Sequence, residues 1–324
     1  MMLTSPENRH LTGSAAGASG SPMVHAFPYD ENTAYLLTRN TSERRYFLRP
    51  SKELREAILY CIADAQSQHP VQIHAFCAMS NHIHVVLTDP DGTAPFFVQA
   101  MNQNIARYVN CSLGRFGAMW EGGARPNYCV LPESGDVLDK VVYTLTNPVK
   151  AGLVSQHNLW PGAISCVAQI AKGRITTKRP KKFFAKTDDP TLLTRELILT
   201  PVPGAVMMRP EDYGRYLAQR VAEVEDAIAA DHEAKGLQWL GRKECLKINP
   251  FDAPQTKWKP FKRNPKVSSK HDEARNAWIL RLRRFIVPYD GAKKAFHEGN
   301  RDAPFPPGTF AMRFFWGVLI DSLL

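Results

Sequence analysis

His82-Ile83-His84 opens a run, HIHVVLT, rich in apolar and β-branched residues. In a strand, side chains at i and i+2 leave one face while the residue between them leaves the other. The two imidazoles would stand about 7 Å apart at the backbone, able to converge on a divalent cation, with Ile83 entering the core. By itself the pattern also fits two half-buried polar positions on a solvent face. Tyr143 and Asn147 make a second pair within DVLDKVVYTLTN. Residues four apart lie one above the other on a helix. Here Val137, Leu138, Val141, Val142 and Leu145 form the opposite, apolar side. A phenol one turn from an amide oxygen offers a nucleophile beside a neutral metal ligand. The plain alternative is an exposed tyrosine on a helix that stops at Asn147, because Pro148 disfavours helix at the residue before it.

Those residues need a scaffold, and the flanking sequence supplies one. Ala34 to Arg39 has strand character. Ser51 is an N-cap for a helix over Lys52 to Ser67, with Leu54, Ile58, Leu59 and Ile62 on one side. Val71 to Met79 and His82 to Thr88 flank Ser80-Asn81, a connection short enough for an antiparallel hairpin. A second amphipathic helix covers Pro95 to Ser112. An irregular strand or turn follows over Trp120 to Leu131, then the tyrosine helix from Asp136. The order β-α-β-β-α-β-α predicts an α+β sandwich with an antiparallel sheet. Past residue 166 the expectation is mainly helix: 211–235, 272–285 and 289–299. Residues 1–29 are expected to be a disordered leader, 30–165 the first module and 166–324 a basic extension.

The formal net charge is +10 over 324 residues. It is unevenly placed: residues 1–165 carry 12 Lys/Arg against 13 Asp/Glu, and residues 166–324 carry 29 against 18. Two stretches concentrate the excess, KGRITTKRPKKFFAK (172–186) and KWKPFKRNPKVSSK (257–270). Each suits either a solvated linker or contact with a single strand, cations following phosphates while bases stack on rings. Lys178, Arg179, Lys181 and Lys182 are the candidates in the first, and Lys257, Trp258, Lys259, Phe261, Lys262 and Arg263 in the second.

Taken together, MSNHIHVVL and the later YTLTNPVKAGLV resemble the single-tyrosine HUH nucleases. Within these they are most similar to the REP-associated tyrosine transposases, relatives of the insertion-sequence single-strand transposases. ARYVN (106–110), RFGAMWEG (115–122) and the entry strand with Thr38-Arg39 extend the likeness over about residues 30–160. The resemblance implies a ferredoxin-like or RRM-like antiparallel sheet and a transposase acting on single-stranded or hairpin DNA. It also implies Mg²⁺ or Mn²⁺ on His82, His84 and Asn147, with Tyr143 attacking to leave a 5′-phosphotyrosine and a free 3′-hydroxyl. Two imidazoles are an unusual match for oxygen-preferring Mg²⁺, which favours Mn²⁺ in a test tube. Arg39 would contact DNA. Relatives carry an arginine directly after the WEG turn; here Gly123 and Ala124 precede Arg125, its counterpart. The site is completed either within one chain or across a homodimer. The alternatives are a domesticated DNA- or RNA-binding regulator without turnover and a metal phosphodiesterase using activated water.

Other classes are excluded. No C-x-x-C pair links the six cysteines, so disulfide scaffolds and zinc ribbons are not expected. The thiols suit a cytoplasmic setting. The longest apolar run, Phe314 to Ile320, is far short of the roughly 20 residues a bilayer needs, so no membrane association is expected. No phosphate-cradling glycine loop or nucleophile elbow appears, which argues against an NTPase or a serine hydrolase. His74 reads as a packed or edge histidine, Cys77 and Cys129 as small core residues, and Glu121 as a turn-stabilising carboxylate.

Overall fold

A computed structural model describes residues 26–122, 126–181, 187, 189–255 and 265–321. Strand β1, Thr33–Asn40, is central, with Ala34 to Leu37 buried. Ser51 is extended, and its hydroxyl accepts from the Leu54 N–H at 3.1 Å. This cap starts α1, Lys52–Gln68. Strands β2 (Gln72–Ala78) and β3 (His82–Asp89) form the expected hairpin, closed by Met79 N–H donating to the His82 carbonyl at 2.9 Å. Helix α2 (Ala94–Ser112), β4 (Asn127–Val130) and α3 (Ser134–Lys150) complete the first half. The sheet is antiparallel throughout, in the order β2-β3-β1-β4. The architecture is α+β, as expected.

Register decides which side chains share a face. Thr38 pairs with His84 and Asn40 with His82, so these four project together. Arg39 and Ile83 pair with each other and project the opposite way. Helix α3 packs on the histidine side, while α2, with α1 alongside, borders the Arg39 side.

Two helical expectations are corrected. The tyrosine helix does not stop at Asn147 but runs through Pro148 to Lys150. Pro148 and Val149 are buried there, and in a last turn that burial outweighs one missing backbone bond. The segments 272–285 and 289–299 are one helix, α8 (Asp272–His297), continuous through Pro288. The second half is mainly helical, as expected, with one strand pair added. After α4 (Val167–Lys172), strands β5 (Arg174–Lys178) and β6 (Thr194–Ile198) form an antiparallel pair, with the short α5 (Pro190–Leu193) before β6. The basic run 172–186 thus begins as a strand. Helices α6 (Pro210–Ala234), α7 (Arg242–Lys247) and α9 (Ala311–Trp316) account for the rest.

The core continues past residue 165. Ile170, Leu197, Leu199, Tyr213, Leu217, Val221 and Cys245 belong to one buried cluster with the sheet and α1–α3. Later segments also cover both sheet edges. Along β2, Ala78 N–H donates to the Ala163 carbonyl (2.8 Å), Ser165 N–H to Phe76 (3.0 Å) and Thr200 N–H to Ile73 (2.8 Å). Gly162 allows this approach, since a Cβ there would overlap Trp160 Nε1, which donates to the Ala78 carbonyl at 3.0 Å. Along β4, Val130 N–H donates to Lys266 and Ser268 N–H to Val130, both at 2.9 Å. Edges paired in this way are closed to other chains.

At the other terminus, Phe27 stacks on Trp278 with centroids 5.7 Å apart, and Asp30 pairs with Arg281 at 2.7 Å. The described end of the expected leader is therefore packed. A small second cluster joins Ala292, Phe296, Phe305, Met312 and Val318. Among the described residues no helix is long and apolar enough to cross a membrane.

Candidate active site

β3 and α3 bring the two sequence pairs together. The His82 and His84 rings lie 4.7 Å apart, and the Tyr143 ring lies 5.6 Å from that of His84. His84 is buried, His82 and Tyr143 are half-buried and Asn147 is buried. Tyr143 and Asn147 are neighbours one helical turn apart on α3.

The hydrogen-bond network orients both imidazoles and assigns the tautomer of His82. His82 Nδ1 lies 2.7 Å from Asn81 Oδ1; an amide oxygen only accepts, so Nδ1 carries the proton and Nε2 keeps its lone pair. His84 Nδ1 lies 2.9 Å from Thr38 Oγ1. That hydroxyl can donate or accept, so the bond holds the His84 ring in place while only the His82 tautomer is set by its partner. Burial lowers both histidines: His82 to about 4, with the Arg44 charge acting the same way, and His84 well below its ordinary value, with His82 adding to the effect. Both are neutral at pH 7, the form that ligates metals. Burial raises Tyr143, and the neighbouring Asn147 amide opposes that rise.

The donor set fits a borderline ion. Two neutral imidazoles, each with its second nitrogen held by a neighbour, follow the pattern of metal-ligating histidines. Asn147 adds an amide oxygen beside the phenol. Among the described residues no group of three His, Cys, Asp or Glu is placed to hold a metal. A cation here would rest on His82, His84 and Asn147, with water or phosphate supplying further oxygens.

The remaining predicted residues lie elsewhere. Arg39 sits behind the sheet, lining an open cavity of about 760 Å³ with Asn102, Trp120, Glu121 and Tyr128. Arg39, expected to contact DNA, thus faces away from the histidines, because neighbours in a strand face opposite ways. Lys178 and Lys181 are exposed, and Arg179 donates to Tyr60 Oη of α1 at 2.9 Å. The described part of that basic segment, through residue 181, lies along α1. Arg125, Lys182, Lys257, Trp258, Lys259, Phe261, Lys262 and Arg263 lie outside the described residues. Glu121 accepts from Asn40 Nδ2 at 3.1 Å, the turn-stabilising role expected of it. His74, Cys77 and Cys129 are buried, as expected.

Sequence reasoning missed Asn81, Arg44, Lys140 and Lys150. Asn81 was visible only as a turn residue. Glu43 and Arg44 take positive φ values of 53° and 54° next to the histidine strand, a conformation that nothing in their residue types announces.

An antiparallel four-stranded sheet carrying two histidines against a tyrosine helix is the arrangement the sequence motifs led us to expect of a single-tyrosine HUH fold. Among solved structures, the chain is similar to a REP-associated tyrosine transposase bound to a REP hairpin. The identity is 22%, over 56% of this chain and 100% of that one, with a TM-score of 0.36. It is also similar to a candidate transposase from Deinococcus radiodurans R1, with 21% identity, 40% and 97% coverage and a TM-score of 0.26. No protein-family model and no curated protein matches. At these scores the side-chain geometry carries the functional reading.

Proposed function

We propose that the chain is a metal-dependent endonuclease and strand transferase for single-stranded, hairpin-forming DNA. The observation that carries this reading is the contact of Tyr143 with His84, inside one chain, at a site whose histidines are held neutral. A pure binding module has no need of that combination.

Tyr143 Oη attacks the scissile phosphorus, the bond to the 3′ oxygen breaks, and the phosphate remains on tyrosine as a 5′-phosphotyrosine. The phenol proton passes to solvent, and the departing 3′ oxygen takes a proton from water. Asn147, one helical turn from Tyr143, places its amide beside the phenol, whose pKa it lowers. Mg²⁺ or Mn²⁺ bound by His82, His84 and Asn147 would withdraw charge from the phosphate. In the reverse step a 3′-hydroxyl displaces the phenolate, so one phosphodiester is exchanged for another without a nucleotide cofactor. A phenolate leaves more readily than an alkoxide because its pKa is near 10.

Labelled hairpin DNA with single-stranded flanks, incubated with Mn²⁺ and run on a denaturing gel, tests this. A protein–DNA adduct lost in Tyr143→Phe is expected. Cleavage that survives the substitution overturns the tyrosine mechanism in favour of activated water. Tight, salt-sensitive binding without cleavage points to a regulator.

A further inference from the structure

Two ammonium groups flank Tyr143. Lys140 Nζ and Lys150 Nζ each lie 5.7 Å from the centre of its ring. Positions 140, 143, 147 and 150 are spaced by three and four, so they make one stripe along α3. Lys140 lies one turn before the tyrosine, and Lys150 reaches back from the helix end. Among the described residues neither is in an ion pair with a carboxylate. The acids of α3 are engaged elsewhere: Asp139 pairs with Lys270, and Asp136 accepts from the Glu133 and Lys270 backbone N–H groups at 3.2 Å each.

Unpaired cations are costly to hold together unless an anion joins them. Lys150 is exposed and Lys140 half-buried, so both ends remain open to a ligand. Ten residues of helix span about 15 Å between their Cα atoms, yet the two side chains fold inward to the same ring. The positive groups therefore stand on either side of the phenol along the helix axis.

We infer that Lys140 and Lys150 form a phosphate-binding pair that lays a single strand along α3, with the phosphates flanking the scissile one on the two ammoniums. This rests on the reading of Tyr143 as nucleophile, and it assigns the lysines a positioning role. An extended strand presents phosphates in a row, and two cations bracketing the nucleophile fix which phosphate lies over it. Lysine suits this as a point charge on a flexible stem.

Binding of a single-stranded oligonucleotide to the full chain, followed by fluorescence anisotropy in EDTA across a salt series, isolates the pair from any metal. Each lysine neutralising one phosphate contributes about 0.7 to the slope of log affinity against log salt. Lys140→Ala with Lys150→Ala should lower the slope by about 1.4 and weaken binding about tenfold at low salt. The double Lys→Arg variant should restore the slope. With Mn²⁺ and saturating DNA, the alanine variant should raise the half-saturating DNA concentration more than it lowers the maximal adduct rate.

An unchanged slope in the double alanine variant, with its circular dichroism intact, overturns the inference. So does a fall in rate alone with half-saturation unmoved. If the wild-type chain binds with the expected slope but forms no adduct, the tyrosine reading fails while the phosphate pair stands.

Discussion

The hydroxyl of Thr38 lies 2.9 Å from Nδ1 of His84, across the β1–β3 pairing that sets the two residues opposite each other. The bond fixes the ring orientation. Thr38→Val keeps the shape and removes the partner. The Mn²⁺ concentration giving half-maximal adduct should rise about 10- to 100-fold, with secondary structure unchanged. An unaltered Mn²⁺ requirement would show that the hydroxyl does not set the ligand.

Metal and DNA should bind interdependently. Arg44 acts electrostatically on His82 and Lys140 on His84. A dication entering alone meets like charge, whereas one entering with a phosphate does not. Calorimetric titration of the DNA-free chain should therefore give weak Mn²⁺ binding. A bound non-cleavable oligonucleotide should tighten it at least about tenfold, and by linkage Mn²⁺ should tighten DNA binding by the same factor. Equal Mn²⁺ affinity with and without DNA would refute this.

Acid should weaken the fold through His74. Its Nδ1 donates to the Thr200 carbonyl at 3.0 Å, and Thr88 Oγ1 meets Nε2 at 2.9 Å. Burial lowers it to about 4 from an ordinary value of 6.5. A neutral native imidazole costs nothing above 6.5. As pH falls from 6.5 toward 4 the unfolded chain takes up the proton first, so stability drops, by about 2 kcal/mol at pH 5. Urea midpoints at pH 7.5 and pH 5 should show the loss, smaller in His74→Gln. An equal loss in that variant would assign the acid sensitivity to other groups, His82 among them.

A chain ending at residue 165 should not fold as a nuclease with less charge. It would lose Thr200 from the β2 edge, residues 266–268 from the β4 edge and part of the shared core. The expected outcome is aggregation without a cooperative unfolding transition. A soluble, cooperatively unfolding fragment would show that the sheet needs no cover.

Much of the site was legible because strand periodicity and helix periodicity are local properties. The i, i+2 spacing put His82 and His84 on one face, and the i, i+4 spacing put Tyr143 under Asn147. Ser51 announced α1 through its own hydroxyl. What escaped was decided by tertiary packing. Pro148 reads as a stop until the core that buries it is known. The β5–β6 pair hides in a basic run, where Thr177 alone of β5 is fully buried. Lys140 and Lys150 are ordinary helix residues by type; only the fold shows both reaching the same ring.

The covering of β4 by residues 266–268 also bears on synthesis. Val130 pairs with Val267 only after most of the chain has left the ribosome. Contacts so distant in sequence form slowly. The cover of the sheet that presents the histidines stays unfinished through most of translation, and a nascent or prematurely terminated polypeptide carries Tyr143 without the closed scaffold around it. Completion of the chain thus acts as the licence for its chemistry.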